Sequence, residues 1–276
     1  MQSLRDILVY LDDGDSNSER INTALAMAKN YGARLTGATL AALVPAHVKV
    51  TDEKTLVHIA DKEARQRAEH FERLATEHGI ECTTRIIDGE LKHAPTRFAR
   101  YARNFDLVIL RQANPSRDNF QVIKAISEQV VLLSGRPIFF MPYIGAHRMP
   151  CRKVMIAWSG SPTTTRAIHD ALPLIERVEE VVLLVVEKGT KPSERGVIQA
   201  NNMREHLQRH GVNAEIRRVP SGTFEVATVI LNEVVEGDYD LLVMGGYGTP
   251  SLHQKIFGGV TRTILSSMLV PVFMSH

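Results

Sequence analysis

Cysteine is scarce in this chain: 276 residues carry two, Cys82 and Cys151. Two thiols do not make a disulfide framework, and so low a count fits a reducing cytosol. Charge of one sign is lacking as well. Lys and Arg number 33 against 31 Asp and Glu, a formal net charge of +2, with no basic block. The electrostatic footprint of a nucleic-acid binder is therefore missing. Long hydrophobic runs are absent too. The longest, such as "VEEVVLLVVE", are strand-sized and too short to cross a bilayer, so no membrane span is expected. The opening "MQSLRDILVYLDDG" brings acids at once and no cleavage site, so no signal peptide is expected and the location reads as cytoplasmic. No Ser-His-Asp order and no paired carboxylates can be argued, so no catalytic residue is assigned.

What is present is ordinary for a soluble globular protein: 44% apolar and 23% charged residues. The length suits two domains better than one. Strand-like and helix-like runs alternate. "DILVYL" (6–11) precedes a helical segment with a capping box, Ser16 to Glu19, and a face made by Ile21, Ala24, Leu25 and Ala28. "ARLTGATL", a helix over about 56–78, "ECTTRII", a further helix, "DLVIL" and "PIFFM" follow. Such alternation predicts an α/β fold with a parallel, doubly wound sheet.

The second half repeats the order. "KVMIAW" (153–158) leads to a helix with Ile168, Ala171, Leu172 and Ile175 on one face, then "EVVLLVVE", a helix ending "LQRHG", "AEIRRV", another helix, "DLLVM" and "PVFM". "HGIECTTRI" answers "HGVNAEIRR". Asp106 answers Asp240 and Pro137 answers Pro271, both 134 residues apart (240 − 106 and 271 − 137). A constant offset marks a tandem duplication. Asp12 and Ser159 differ by 147, so the first half holds roughly a dozen extra residues, most simply within 41–65. The expected domains are 1–142 and 153–276, each with about five strands and four helices, joined by "YIGAHRMPCR". An apolar last strand is a liability at a sheet edge. The two halves are therefore expected to cover each other's edges as a pseudo-twofold dimer.

In such sheets ligands bind beyond the carboxyl ends of the strands, where strand order reverses. The segment "MGGYGTPSLHQKIFGGVT" (244–261) starts where "DLLVM" ends. Gly245 and Gly248 can take positive φ, and successive N–H groups there form an anion-binding concavity. Gly258 and Gly259 precede a helical pattern, and a helix start without Cβ suits a phosphate. The pattern is neither a Walker motif nor G-x-G-x-x-G.

The spacing Gly245-x-x-Gly248, nine residues, then Gly258, with the flanking strands, resembles the tandem form of the universal stress protein (UspA) family. The resemblance covers essentially the whole chain. It implies two five-stranded domains of 3-2-1-4-5 order, like the adenine-nucleotide alpha-hydrolases, and adenine-nucleotide binding in many members. Carried over, it places Ala157, Trp158 and Ser159 after the first strand of the second half. Val185 or Val186 would offer backbone to adenine. Met244, Gly245 and Gly248 would make one phosphate turn, and Gly258, Gly259 and Val260 the other. The expected ligand is ATP or AMP, with Mg as its companion, and at most slow ATP hydrolysis.

Two positions depart from the family pattern. Ser159 stands where its nucleotide binders have an acid, and Gly259 where they have Ser or Thr; one lost neutral hydrogen bond costs only about 1 kcal/mol. The first half has the acid, Asp12, but no phosphate-loop glycine: "ILRQANPSRD" puts Arg111, Gln112 and Asn114-Pro115 there. That half is expected to be a degenerate, empty site that holds the pair together or carries a partner surface.

Other candidates have plain readings beside functional ones. Trp158 lines the adenine pocket or belongs to the core. His253 reads as a solvated loop residue, and Arg262 meets a phosphate or makes a surface ion pair. His47, His58, His70, His78 and His93 crowd the first half without a tight ligand spacing such as H-x-x-x-H, so no metal is assigned. Cys82 reads as a strand residue; Cys151, in the linker, could be exposed. The apolar "AALVPAHVKV" (41–50) covers the sheet or lines a small pocket. The leading expectation is a stress-response protein binding an adenine nucleotide in its second domain. Its alternatives are a nucleotide-free interaction module of the same fold and a small-ligand or metal carrier. A protein partner and a homodimer stay open.

Overall fold

The structure, a computed structural model, describes residues 4–13, 17–41, 52–144, 149–187, 194–247 and 259–276. The capping-box Ser16, the 42–51 part of the extra segment with His47, and Gly248, His253 and Gly258 lie outside the described residues. The chain divides into two compact units, 3–144 and 145–276. Each is described by itself.

The N-terminal unit runs β1 (Asp6–Tyr10), α1 (Asn17–Tyr31), β2 (Arg34–Leu40), α2 (Glu53–Glu77), β3 (Cys82–Ile87), α3 (Ala94–Ala102), β4 (Leu107–Arg111), α4 (Phe120–Leu133) and β5 (Ile138–Met141). Its strands are parallel, in the order β3-β2-β1-β4-β5. The C-terminal unit runs β6 (Lys153–Ala157), α5 (Pro162–Ile175), β7 (Glu180–Glu187), α6 (Glu194–Arg209), β8 (Ala214–Pro220), α7 (Val226–Glu236), β9 (Leu241–Gly245), α8 (Gly259–Ser267) and β10 (Val272–Ser275). Its order is β8-β7-β6-β9-β10, again all parallel. Each unit thus has the 3-2-1-4-5 order expected from the resemblance. The central strands are buried over most of their length, and β4 at all five positions. Helices cover both faces of such sheets, so these strands read as unbroken apolar runs.

Local chemistry explains the element ends. Asp52 caps α2 by accepting the Thr55 N–H at 2.8 Å. Ser161 caps α5 by accepting the Thr164 N–H at 3.2 Å, with Pro162 in the first turn. The stripe expected on α5 buries Ile168, Ala171 and Ile175, while Leu172 is half-buried. The expected face of α1 is buried, and Arg20 is buried with it.

Both units are stitched identically at the amino end of the sheet. Asp106 Oδ2 accepts the N–H groups of Arg5 (2.8 Å) and Asp6 (3.0 Å). Asp240 Oδ2 accepts those of Arg152 (2.7 Å) and Lys153 (2.9 Å). The constant 134-residue spacing marks a carboxylate that starts β1 in one unit and β6 in the other. The "HGI" and "HGV" segments match as well. Gly79 (φ 66°) and Gly211 (φ 78°) sit in the left-handed region after α2 and α6. The next N–H reaches back five residues in each case, Ile80 to Ala75 O at 2.9 Å and Val212 to Leu207 O at 3.0 Å. That is a Schellman-type ending, which satisfies helix carbonyls that would otherwise be orphaned.

Candidate functional site

In the C-terminal unit the strand order reverses between β6 and β9, where a doubly wound sheet opens a crevice at its carboxyl edge. Ala157, the last residue of β6, lies in register between Leu184 of β7 and Met244 of β9. Trp158 follows, half-buried, its N–H donating to the Leu184 carbonyl at 2.8 Å. Because Leu184 turns its backbone toward β6, Val185 turns toward β8 and Val186 again toward the β6 side, past the end of β6. Of the two valines expected to offer backbone to a ligand, Val186 is the one whose backbone turns to the β6 side. The residue first in that expectation, Val185, pairs with Arg218 of β8.

Ser159 is exposed and belongs to a hydroxyl cluster at the start of α5. Its Oγ lies 2.7 Å from Thr164 Oγ1 and donates to Ser161 Oγ at 2.9 Å. Gly245 has a packing reason to be glycine. A Cβ there would stand 2.5 Å from both Thr163 Oγ1 and the Thr164 nitrogen. The end of β9 therefore runs directly against the first turn of α5. Beyond it, the Gly246 N–H donates to the Ser275 carbonyl at 2.8 Å, and Tyr247 takes φ 50°. The Tyr247 N–H donates to Thr261 Oγ1 at 3.2 Å, so the loop leaving β9 is tied to the first turn of α8. Gly259 opens that helix, exposed, with nothing within 4 Å of the position a Cβ would take. Val260 beside it is half-buried, and Arg262 is exposed without an ion pair among the described residues.

The matching end of the N-terminal unit is filled. Asp12 (1% exposed) is held by Arg20 (0%) and Arg111 (2%). Arg20 Nη2 donates to Asp12 Oδ1 at 2.7 Å, and Arg111 Nε donates to Asp12 Oδ2. Arg20 also donates to the Tyr10 carbonyl (2.8 Å) and to Asn17 Oδ1 (2.7 Å), and Arg111 to Asn119 Oδ1 (2.9 Å). Gln112 is buried too: its N–H meets the Met141 carbonyl at 2.7 Å, and its Oε1 accepts the Tyr143 N–H at 3.3 Å. Asn114 caps its own turn, accepting the Ser116 N–H at 2.9 Å. The Tyr10 hydroxyl is buried, which pushes its pKa up, and Asp12 adds to the shift.

With this geometry in hand, the sequence profile described as the Universal stress protein family matches residues 150–276. Those residues are a universal stress protein domain. Solved structures extend the likeness of fold to the whole chain. A universal stress protein from Archaeoglobus fulgidus superposes with a TM-score of 0.72 at 17% identity, covering 98% of this chain and 95% of that one. A Pseudomonas aeruginosa protein described as functionally unknown gives 0.63 at 14%, covering 99% and 92%. The cytoplasmic domain of a prokaryotic cation chloride cotransporter gives 0.56 at 11%, covering 98% and 95%. No curated protein matches the chain. Among the described residues no helix is long and apolar enough to cross a membrane.

Two features of the chain were missed from its sequence. Arg20 is one: it lies on the buried face of α1, and only the fold brings Arg111 to the same carboxylate, Asp12. A histidine cluster in the universal stress domain is the other. His169 of α5, His206 of α6 and His210 just after it gather their rings within 6.3 Å of one another. Their signal was present as His206-x-x-x-His210, a tight ligand spacing in the second half of the chain. Burial lowers the His206 pKa, and the neighbouring imidazoles of His169 and His210 lower it further. Cys151 also differs from expectation: the linker thiol is 9% exposed, and burial pushes its pKa up to about 12.

Proposed function

We propose that the universal stress domain binds an adenine nucleotide, ATP or AMP, at the carboxyl edge of β6, β7 and β9, and serves a stress response in the cytoplasm. One observation carries the reading: the hydrogen bond from the Tyr247 N–H to Thr261 Oγ1, which draws the two glycine-bearing ends of 244–261 together. The start of α8, open at Gly259, is then the phosphate cradle, with Gly248, Gly258 and Val260 completing it. Met244 ends the strand beneath, and Gly245 lets it pass against α5. Adenine meets the Val186 backbone, with the half-exposed Trp158 ring alongside and the Ser159 hydroxyl replacing the family's acid. Magnesium would accompany the phosphates, and hydrolysis would be slow at most. In the N-terminal unit, Asp12 is already neutralised and Arg111 and Gln112 fill the loop's place. That supports a degenerate unit without nucleotide, free to serve as a partner surface.

Ser159 and Gly259 favour a second reading, a nucleotide-free interaction module. Mass spectrometry of material released from the purified chain, and calorimetry with ATP and AMP, separate the two. Gly248→Val places a branched side chain in the phosphate turn. Two charge-assisted hydrogen bonds at about 1.5–3 kcal/mol each would be lost, weakening binding by two orders of magnitude or more. Gly259→Ser should tighten binding by about tenfold at most. An unchanged nucleotide-induced thermal shift in Gly248→Val refutes the phosphate cradle. No shift in any variant leaves the interaction module as the reading.

A further inference from the structure

Helix α6 turns one stripe toward α5. Gln199, Met203, His206 and His210 follow at intervals of four, three and four residues, the spacing of a single helix face, with His210 just past the helix end. The stripe meets the α5 segment at two points. Near its start, a Cβ on Gly160, two residues before α5, would stand 2.7 Å from Gln199 Oε1, and Gly160 takes φ 69°. At its end, His206 is the middle of three rings, 4.9 Å from His169 of α5 and 4.7 Å from His210 between centres, with the outer two 6.3 Å apart. Beneath α6 lie β7 and β8, on which only Ala200, Met203 and Leu207 are buried. So small an apolar stripe makes the contact with α5 a large share of what holds the helix.

Neutral imidazoles pack at this spacing as small aromatic rings, whereas imidazolium ions would set like charges about 5 Å apart. His206 is the ring least able to take a proton. A neutral imidazole keeps one nitrogen bare, but an imidazolium must donate from both. His206 Nε2 is buried and has no hydrogen-bond partner among the described residues. Burial lowers its pKa, and the charges of His169, His210 and Arg209 lower it further. The carboxylates around it are engaged elsewhere. On α5, Asp170 meets Arg166 at 2.8 Å and accepts the Ser275 hydroxyl at 2.9 Å. On α6, Glu205 lies 3.7 Å from Arg209. In the strands beneath, Glu187 pairs with Arg218 at 2.9 Å and Glu180 with Lys153 at 3.4 Å, Arg217 turns to Glu233 of α7 at 2.7 Å, and Glu215 is exposed. Glu176 shares a groove of about 520 Å³ with Arg166, His169, Asp170 and His210, but His206 does not line it.

We propose that His169, His206 and His210 form an acid-sensitive latch, closed while the rings are neutral and driven apart by protonation, which releases α6 from α5 and loosens the Gly160 turn. The latch does not depend on the nucleotide reading. With the folded pKa of His206 below the ordinary 6.5, closure is at full strength above pH 6.5 and weakens as pH falls through the folded value. A ring that stays bare when closed and titrates near 6.5 when open favours opening by about elevenfold at pH 5.5 and about 1.1-fold at pH 7.5, a change of about tenfold for one proton.

The test is amide hydrogen exchange of the full chain at pH 7.5 and 5.5, corrected for intrinsic exchange and read by mass spectrometry. Protection of peptides within 194–209 should fall about tenfold on acidification, while peptides of α7 (226–236) hold theirs. His206→Gln and His169→Gln should each remove most of that fall, and His70→Gln with His78→Gln, on α2 and at its end, should keep it. His210 is exposed, so His210→Gln keeps the test decisive should the His206 variant fold poorly. Acrylamide quenching of Trp158, two residues from Gly160, should rise over the same range in the unmodified chain only. A fall in α6 protection below threefold, an equal fall in α7, or a fall that survives both His169→Gln and His210→Gln overturns the latch. Quenching that stays constant while α6 opens overturns its link to the Gly160 turn.

Discussion

Replacing Asp12 with Asn strips the charge from the centre of the N-terminal unit with little change in shape. The carboxylate side chain is 0% exposed and faces two guanidinium groups, Arg20 at 0% and Arg111 at 2%. Neither arginine is free to swing out, since Arg20 is held by the Tyr10 carbonyl and Asn17, and Arg111 by Asn119. The substitution leaves two buried positive charges without their counter-charge and turns an amide N–H toward one of them. Removing one partner of a buried ion pair costs about 3–5 kcal/mol. For a unit of this size each kcal/mol moves the midpoint by about 2–4 °C, so a fall on the order of 10–15 °C is expected. Trp158, the only tryptophan, lies in the C-terminal unit, so its fluorescence follows that unit while far-UV circular dichroism follows both. The dichroism transition should move down by that amount. A change under about 1 kcal/mol would mean that the triad is well hydrated in solution and that its burial has been misread. A triple replacement, Asp12→Leu with Arg20→Met and Arg111→Met, should recover most of the loss, because apolar groups of similar volume need no counter-charge.

Three further outcomes follow from the geometry. Asp106→Asn and Asp240→Asn each remove a charged acceptor from two backbone N–H groups, and each should cost about 1.5–3 kcal/mol in urea unfolding; a large loss in one and none in the other would break their equivalence. Gly245→Ala forces a Cβ into the first turn of α5 and should cost about 1–3 kcal/mol of C-terminal-unit stability, read by Trp158 fluorescence, whether or not nucleotide is present. Burial holds the Cys151 thiol neutral, from an ordinary 9.0 up to about 12, so at pH 8 iodoacetamide should label Cys82 well before Cys151 by mass spectrometry. With the folded pKa raised, the stability from that neutral thiol is complete below pH 9 and declines as pH climbs toward 12; faster labelling of Cys151 at pH 8 would contradict its burial.

The fold was readable because its signals are local and occur twice. "DILVYL" and "KVMIAW" are β1 and β6 to within a residue, and the helix expected over about 56–78 is α2 at Glu53–Glu77. The 134-residue spacing was visible as a number, while its cause, an aspartate accepting two N–H groups, needed the fold. The site was less readable because its signals are not local. Arg111 reaches Asp12 across 99 residues, and Arg20 looks in sequence like a helix-surface residue. The glycine at 245 invites a phosphate explanation, yet its neighbour is the backbone of α5. His169 and His206 are 37 residues apart (206 − 169), and only the packing of α5 beside α6 joins them.

The shared stitching at Asp106 and Asp240, and at Gly79 and Gly211, bears on how a doubled chain diverges. Those four positions hold strand starts and helix ends at the amino edge, and none touches the carboxyl edge where the units differ. Each copy can therefore rewrite one rim while its frame stays fixed, as Asp12 with Arg111 and Ser159 with Thr164 illustrate. Tolerance to substitution should be polarised along the strand direction, with an intolerant rim and a permissive one. A saturation library selected only for soluble folding would then recover the two rims with opposite diversity, in both copies alike.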